Sequence, residues 1–206
     1  CAGARASLNG HAAVRFGGEG RWTSLTLGAD PIYASGSGLT VFAVVANVRD
    51  DSQYPWLFDQ GSWGSSGVGM YVRAAGAYGA SPFVYAYSPL DANGTSSSGN
   101  PAALGNATAH VVTLRFAFNA EQTARLDGEE IFSKSIANLN AIDAGALNWA
   151  AAQSNNQGPF TIGAQSKGYK ALERYASLEL AELLVYDAAL SDTQVHAVEQ
   201  YLDQRY

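Results

Sequence analysis

Residues 39–48 read LTVFAVVANV, a nearly unbroken apolar run rich in β-branched side chains. Such side chains are stiff at χ1 and pack well on a pleated surface, so the run predicts a strand. A strand that is apolar at successive rather than alternate positions has to be covered on both faces. The chain must therefore build layers on either side of it. The run is too short to cross a bilayer, and no other stretch of the sequence has the roughly 18 apolar residues a membrane span needs.

Other segments supply the layers. Residues 12–16 and 22–27 flank Gly17-Gly18-Glu19-Gly20, a spacing that predicts a hairpin with a glycine-rich loop. Strand-like runs follow at 56–60, 67–73 and 83–87. Residues 110–118 alternate, with Val112, Leu114, Phe116 and Phe118 on one face. Runs at 122–126 and 129–133 flank Asp127-Gly128, a strong hairpin signal. Residues 160–163 form a short strand, whereas 178–186 (LELAELLVY) has neither period and admits strand or helix. Ser191-Asp192-Thr193-Gln194 is a capping box, and Val195, Val198 and Leu202 follow on one face, so a helix is predicted over about 192–205. Segments 88–109 and 136–159, rich in Ser, Gly, Asn and Ala, are expected to be long loops. No repeat and no linker is visible, so residues 1–206 are taken as a single domain. These features predict an all-β antiparallel sandwich with one C-terminal helix.

Charge narrows the partners. The net charge of −6 and the absence of any basic run argue against nucleic acid, whose phosphates need clustered Lys and Arg. The one cysteine is Cys1, so no intrachain disulfide forms. Cys1 suits the lipid-bearing first residue of a bacterial lipoprotein, or the edge of a fragment from a larger protein; the second is favoured. Residues 1–4 do not have the charged and apolar regions of an intact signal peptide.

Four blocks carry a family resemblance: Leu8-Asn9-Gly10-His11-Ala12-Ala13-Val14-Arg15-Phe16, Thr40-Val41-Phe42-Ala43-Val44-Val45, Phe160-Thr161-Ile162-Gly163, and Ala181-Glu182-Leu183-Leu184-Val185-Tyr186-Asp187-Ala188-Ala189-Leu190-Ser191. In this order and spacing, the chain from Leu8 to Tyr206 resembles the bacterial laminin-G-like branch of the concanavalin A-like lectin/glucanase superfamily. The resemblance implies a jelly roll of two antiparallel sheets and a strand at 178–186. It also implies one domain of a larger exported protein, extracellular or at the cell surface. Relatives include carbohydrate-binding modules, adhesion domains, hydrolases and lyases, so the site has to be argued from residues.

Glycoside hydrolysis needs two carboxyl groups about 5–9.5 Å apart. Hydrolases of this superfamily carry carboxylates alternating on one strand, and no such triplet occurs here. Glu179 and Glu182, three apart, are expected on opposite faces of a strand. The Gln-x-His and Arg-rich motifs of lyases of this fold are also absent, and His11, His110 and His196 have no nucleophile at an interpretable spacing. Calcium-binding relatives place an Asp where this chain has Met70, a side chain that hard Ca²⁺ does not favour. Ca²⁺ is thus disfavoured there, with Asp50, Asp91 and Asn93 as candidates for a different site. Sugar binding needs an aromatic platform beside amides and carboxylates. Trp63, Trp149 and Tyr169 lie among small polar residues, and Asn155 and Asn156 follow Trp149 closely. Trp22, Trp56 and Tyr186 lie within strand patterns and are expected in the core. The expected function is noncatalytic binding of a glycan or polysaccharide at Trp63, Trp149, Asn155, Asn156, Tyr169, Asp91 and Asn93. Recognition of a surface protein, or polysaccharide degradation, are the alternatives.

Overall fold

The computed structural model describes residues 5–17, 24–26, 38–49, 56–60, 68–73, 83–87, 95–96, 104, 107–117, 121–135, 160–166 and 172–206. A seven-stranded antiparallel sheet runs in the order β1 (Arg5–Leu8), β2 (His11–Gly17), β15 (Ser177–Tyr186), β4 (Gly38–Ala46), β9 (His110–Ala117), β10 (Glu121–Leu126) and β11 (Glu129–Ser135). A six-stranded sheet runs β3 (Leu25–Thr26), β12 (Thr161–Ile162), β5 (Trp56–Gln60), β6 (Val68–Arg73), β7 (Phe83–Tyr87) and β8 (Thr95–Ser96). A small pair, β13 (Gln165–Ser166) with β14 (Leu172–Glu173), and one helix, α1 (Asp192–Arg205), complete the described elements.

The apolar run is the central strand β4, buried at every position. Val41, Ala43 and Val45 face the second sheet and meet Leu57, Phe58, Met70 and Val72 in the main core. Phe42, Val44 and Ala46 face the other way and pack with Val195 and Leu202 of α1. Two different layers thus cover the two faces, each fully buried side chain contributing about 1.5–3 kcal/mol. Val112, Leu114 and Phe116 of β9 join the main core as their alternation predicts, and Phe160 stacks on Phe58 at 5.6 Å.

The Asp127-Gly128 hairpin forms, with positive φ at both residues (50° and 81°) as a two-residue turn of this hand requires. Asn9-Gly10 makes the same turn between β1 and β2 (φ 49° and 85°), an equivalent signal that the sequence reading did not use. The expected hairpin between 12–16 and 22–27 does not form. β2 has both edges occupied, by β1 and β15, and the described part of the second run, β3, joins the other sheet against β12. The segment 88–109 is not wholly loop: β8 pairs with β7, and Leu104 is fully buried with its carbonyl accepting from Val48 N–H at 2.9 Å.

Glu179 and Glu182 do not face opposite ways. A bulge leaves Ala181 without a partner on β4, because Leu180 pairs with Val45 and Glu182 with Val44. The extra residue restores the phase, and both carboxylates lie on the helix-side face. Helix α1 begins at the capping box as predicted, Ser191 N–H donating to Gln194 Oε1 at 2.9 Å. Thr40 pins its entry, donating to Ala188 O at 2.7 Å and accepting from Leu190 N–H at 3.0 Å. At the far end the Tyr206 phenol donates to Glu182 Oε2 at 2.8 Å. Burial first, then that hydrogen bond, pushes the phenol up from its ordinary value. Tyr186 packs edge-on to Phe42 at 5.7 Å. No helix among the described residues is long and apolar enough to cross a membrane.

Candidate ligand-binding site

Arg15 on β2 and Glu179 on β15 are direct cross-strand partners, so their side chains leave the same face side by side. On the other flank Glu179 pairs with Ala46, whose methyl group keeps the floor low. The chain then leaves β4 through Asn47, in the left-handed region at φ 51° that Asn tolerates better than most residues. That turn sends Val48 back into the core and leaves Arg49 exposed, its backbone N–H donating to Ser177 O at 2.8 Å. Arg49 is thereby held beside β15.

These residues enclose a cavity of about 430 Å³, lined by Arg15, Phe16, Asn47, Arg49, Ser177 and Glu179 among others. Its charges are unequally used. Arg15 donates to a single carboxylate oxygen, Oε1 of Glu179, through both Nε (2.9 Å) and Nη2. The Glu179 side chain is 6% exposed and that of Arg15 55%. Among the described residues, neither the Arg49 guanidinium nor Glu179 Oε2 has a hydrogen-bond or ion-pair partner. Asp50 and Asp51, next in the chain, lie outside the described residues. Two arginines and one glutamate lining a concave surface can meet hydroxyl groups as donors and acceptor, and can pair with an anion.

A second cavity of about 260 Å³ lies between α1 and the β10–β11 turn, lined by Arg125, Asp127, His196, Glu199 and Asp203 among others. Here Arg125, Asp127 and Glu199 all have partners. Arg125 Nε donates to both Glu199 oxygens (3.0 and 3.2 Å), and its Nη2 reaches Gly128 O and His196 Nε2. Arginine cannot accept, so His196 Nε2 is the acceptor in this contact. Glu199 also accepts from Thr113 Oγ1 at 2.8 Å, and Asp127 takes Val111 N–H at 2.8 Å and His110 Nδ1 at 2.7 Å. This network fastens the helix to the sheet.

Trp63, Trp149, Asn155, Asn156, Tyr169, Asp91 and Asn93 all lie outside the described residues, as does Trp22. Trp56 is buried as expected, its ring 5.5 Å from that of Tyr71. Met70 is fully buried in the main core, where its thioether offers no oxygen to an ion. Among the described residues no group of three His, Cys, Asp or Glu side chains is placed to share a metal ion. Sequence reasoning singled out neither Arg15 nor Arg49. Arg15 stood inside the first resemblance block, but nothing local marks Arg49 as adjacent to Glu179.

No protein-family model and no curated protein matches the chain. Solved structures do. The heptameric SAP-like pentraxin from Limulus polyphemus matches with a TM-score of 0.54 at 16% identity, covering 79% of this chain and 70% of its own. The binding domain of botulinum neurotoxin serotype D matches with a TM-score of 0.59 at 12% identity. It covers 95% of this chain, which spans 44% of that one. The CBM40 of the Ruminococcus gnavus IT-sialidase, bound to α2,3-sialyllactose, matches with a TM-score of 0.54 at 12% identity, over 91% of this chain and 96% of its own. The fold is an antiparallel two-sheet jelly-roll sandwich. At these identities the likeness is one of architecture, and the chemistry rests on this chain's own side chains.

Proposed function

We propose that this chain is a noncatalytic carbohydrate-binding module of an exported bacterial protein, extracellular or at the cell surface, from the laminin-G-like branch of the concanavalin A-like superfamily. The observation that carries the reading is the cavity beside Arg15 and Glu179. Its volume of about 430 Å³ falls in the range of small-molecule sites, and it brings together donors and an acceptor not consumed by the fold. Glu179 is the one carboxylate among its described lining residues, whereas glycoside hydrolysis uses two. Two other helix-side carboxylates are engaged elsewhere: Glu182 with Tyr206, and Glu199 with Arg125. That the R. gnavus module of the same fold is bound to sialyllactose supports a glycan as the partner class.

Trp63 and Trp149 complete the proposal as stacking partners for sugar rings, with Asn155 and Asn156 for hydroxyls. The test is a glycan array for binding, and a polysaccharide panel scored for reducing ends and unsaturated products. Binding without turnover is expected, and Trp63→Ala and Trp149→Ala should weaken it by about 2 kcal/mol while leaving the melting temperature unchanged. Turnover of any substrate, or a blank array, overturns the reading.

A further inference from the structure

We propose that the Arg15–Arg49–Glu179 cavity selects an anionic sugar, one bearing a carboxylate or a sulfate, with Arg49 as the group that pairs with the anion. This rests on the glycan reading above and names the chemical class of ligand.

The argument is one of charge accounting at a single place. The chain as a whole is negative, at −6, so an anion approaches against the average field. Within the cavity the balance reverses, because two arginines face one glutamate. Arg15 neutralises Glu179 through two donors on one oxygen, which removes the repulsion that the nearly buried carboxylate would exert on an incoming anion. Arg49 is then the cation in excess. Its backbone is fixed by the bond to Ser177 O, so its stem starts from a set point on the rim, and no described side chain takes up its guanidinium. A guanidinium fork matches a planar carboxylate, or two oxygens of a sulfate, and such charge-assisted pairs are roughly twice as strong as neutral hydrogen bonds.

Glu179 Oε2 explains why the ligand is a sugar acid rather than a bare anion. An acceptor beside the anion subsite has no use for an inorganic ion, but it accepts a hydrogen bond from a hydroxyl on the same ring. Asn47 and Ser177 line the remaining wall. The cavity is also much larger than an inorganic anion requires, and a cavity of this size is typical of sites for whole small molecules.

The experiment is calorimetric titration of the full chain with matched pairs that differ by the acid group. The pairs are lactose with α2,3-sialyllactose, lactose with sulfated lactose, and methyl-esterified with free oligogalacturonate. Arg49→Gln and Arg49→Lys are run beside the parent chain, each with a melting curve. The expected result is binding of acidic members, weakened at least about 30-fold for their neutral counterparts and about 30-fold in Arg49→Gln. Part of the affinity should return in Arg49→Lys, and raised salt should weaken binding to the parent chain. The sulfate and carboxylate arms tell which acid fits the fork. Equal binding of neutral and acidic members overturns the acid selectivity while the glycan reading stands. Acid-dependent binding that survives Arg49→Gln in full overturns this site. No binding of any member overturns the glycan reading and the selectivity together.

Discussion

Two arginine–glutamate pairs stand on the same outer face of the seven-stranded sheet and end in different states. Arg125 of β10 meets Glu199 of α1 between sheet and helix, with side chains 16% and 7% exposed, and every oxygen of the carboxylate has a donor. Arg15 and Glu179 lie where no described helix covers them, and one carboxylate oxygen and the neighbouring Arg49 are left over. The same pairing therefore becomes a fastening where the helix packs over the guanidinium, and keeps spare polar groups where the guanidinium stays open to water. The two carboxylates are equally buried, at 6% and 7%, so the difference lies in the arginines: Arg125 is 16% exposed and must be paired because desolvation is costly, whereas Arg15 is 55% exposed and water serves it.

That contrast is sharpest in stability. Glu199→Ala strands a largely buried guanidinium and removes the partner of Thr113, and should cost about 3–5 kcal/mol. For a chain of this size the melting midpoint should fall by roughly 6–20 °C, at about 2–4 °C per kcal/mol. Glu179→Ala should cost no more than about 1 kcal/mol, because Arg15 is more than half exposed and rehydrates. Equal losses in paired thermal melts would abolish the distinction.

The helix has its own handles. Ser191→Ala removes the cap that starts the helix and should cost about 1 kcal/mol in urea denaturation, with the Arg15 cavity unaffected in ligand titration. If ligand affinity falls in step with helix stability, the two regions are not independent. The smallest effect is expected at the helix end. Tyr206 has a phenol raised by folding, so its contribution is whole below the ordinary value near about 10 and is lost as pH rises through the folded value. Stability followed from neutral to strongly alkaline pH should decline more steeply in the parent than in Tyr206→Phe.

Much of the fold was legible because its signals are local. The run at 39–48 demanded cover on two faces whatever the rest of the chain did. Asp127-Gly128 and the Ser191 capping box each act within three or four residues, and each appears where expected. The failures came where the partner was distant. Residues 12–16 and 22–27 were joined by proximity in sequence, but β2 was already flanked by β1 and β15. The spacing of Glu179 and Glu182 implied opposite faces until one unpaired residue, Ala181, shifted the register.

The candidate site shows the same division. The sequence alone determined that the chain would be a β-sandwich with a capped terminal helix. Only the tertiary structure decided that Arg15 and Glu179, 164 positions apart, would share a cavity with Arg49. The strand order β2–β15–β4 brings the second and the last strands of the chain together beside the central strand, and it is set by closing long loops around a common core. No pattern in the neighbourhood of any of these three residues encodes that order, so the charges that one arginine lacks and another has satisfied become visible only once the sheet is assembled.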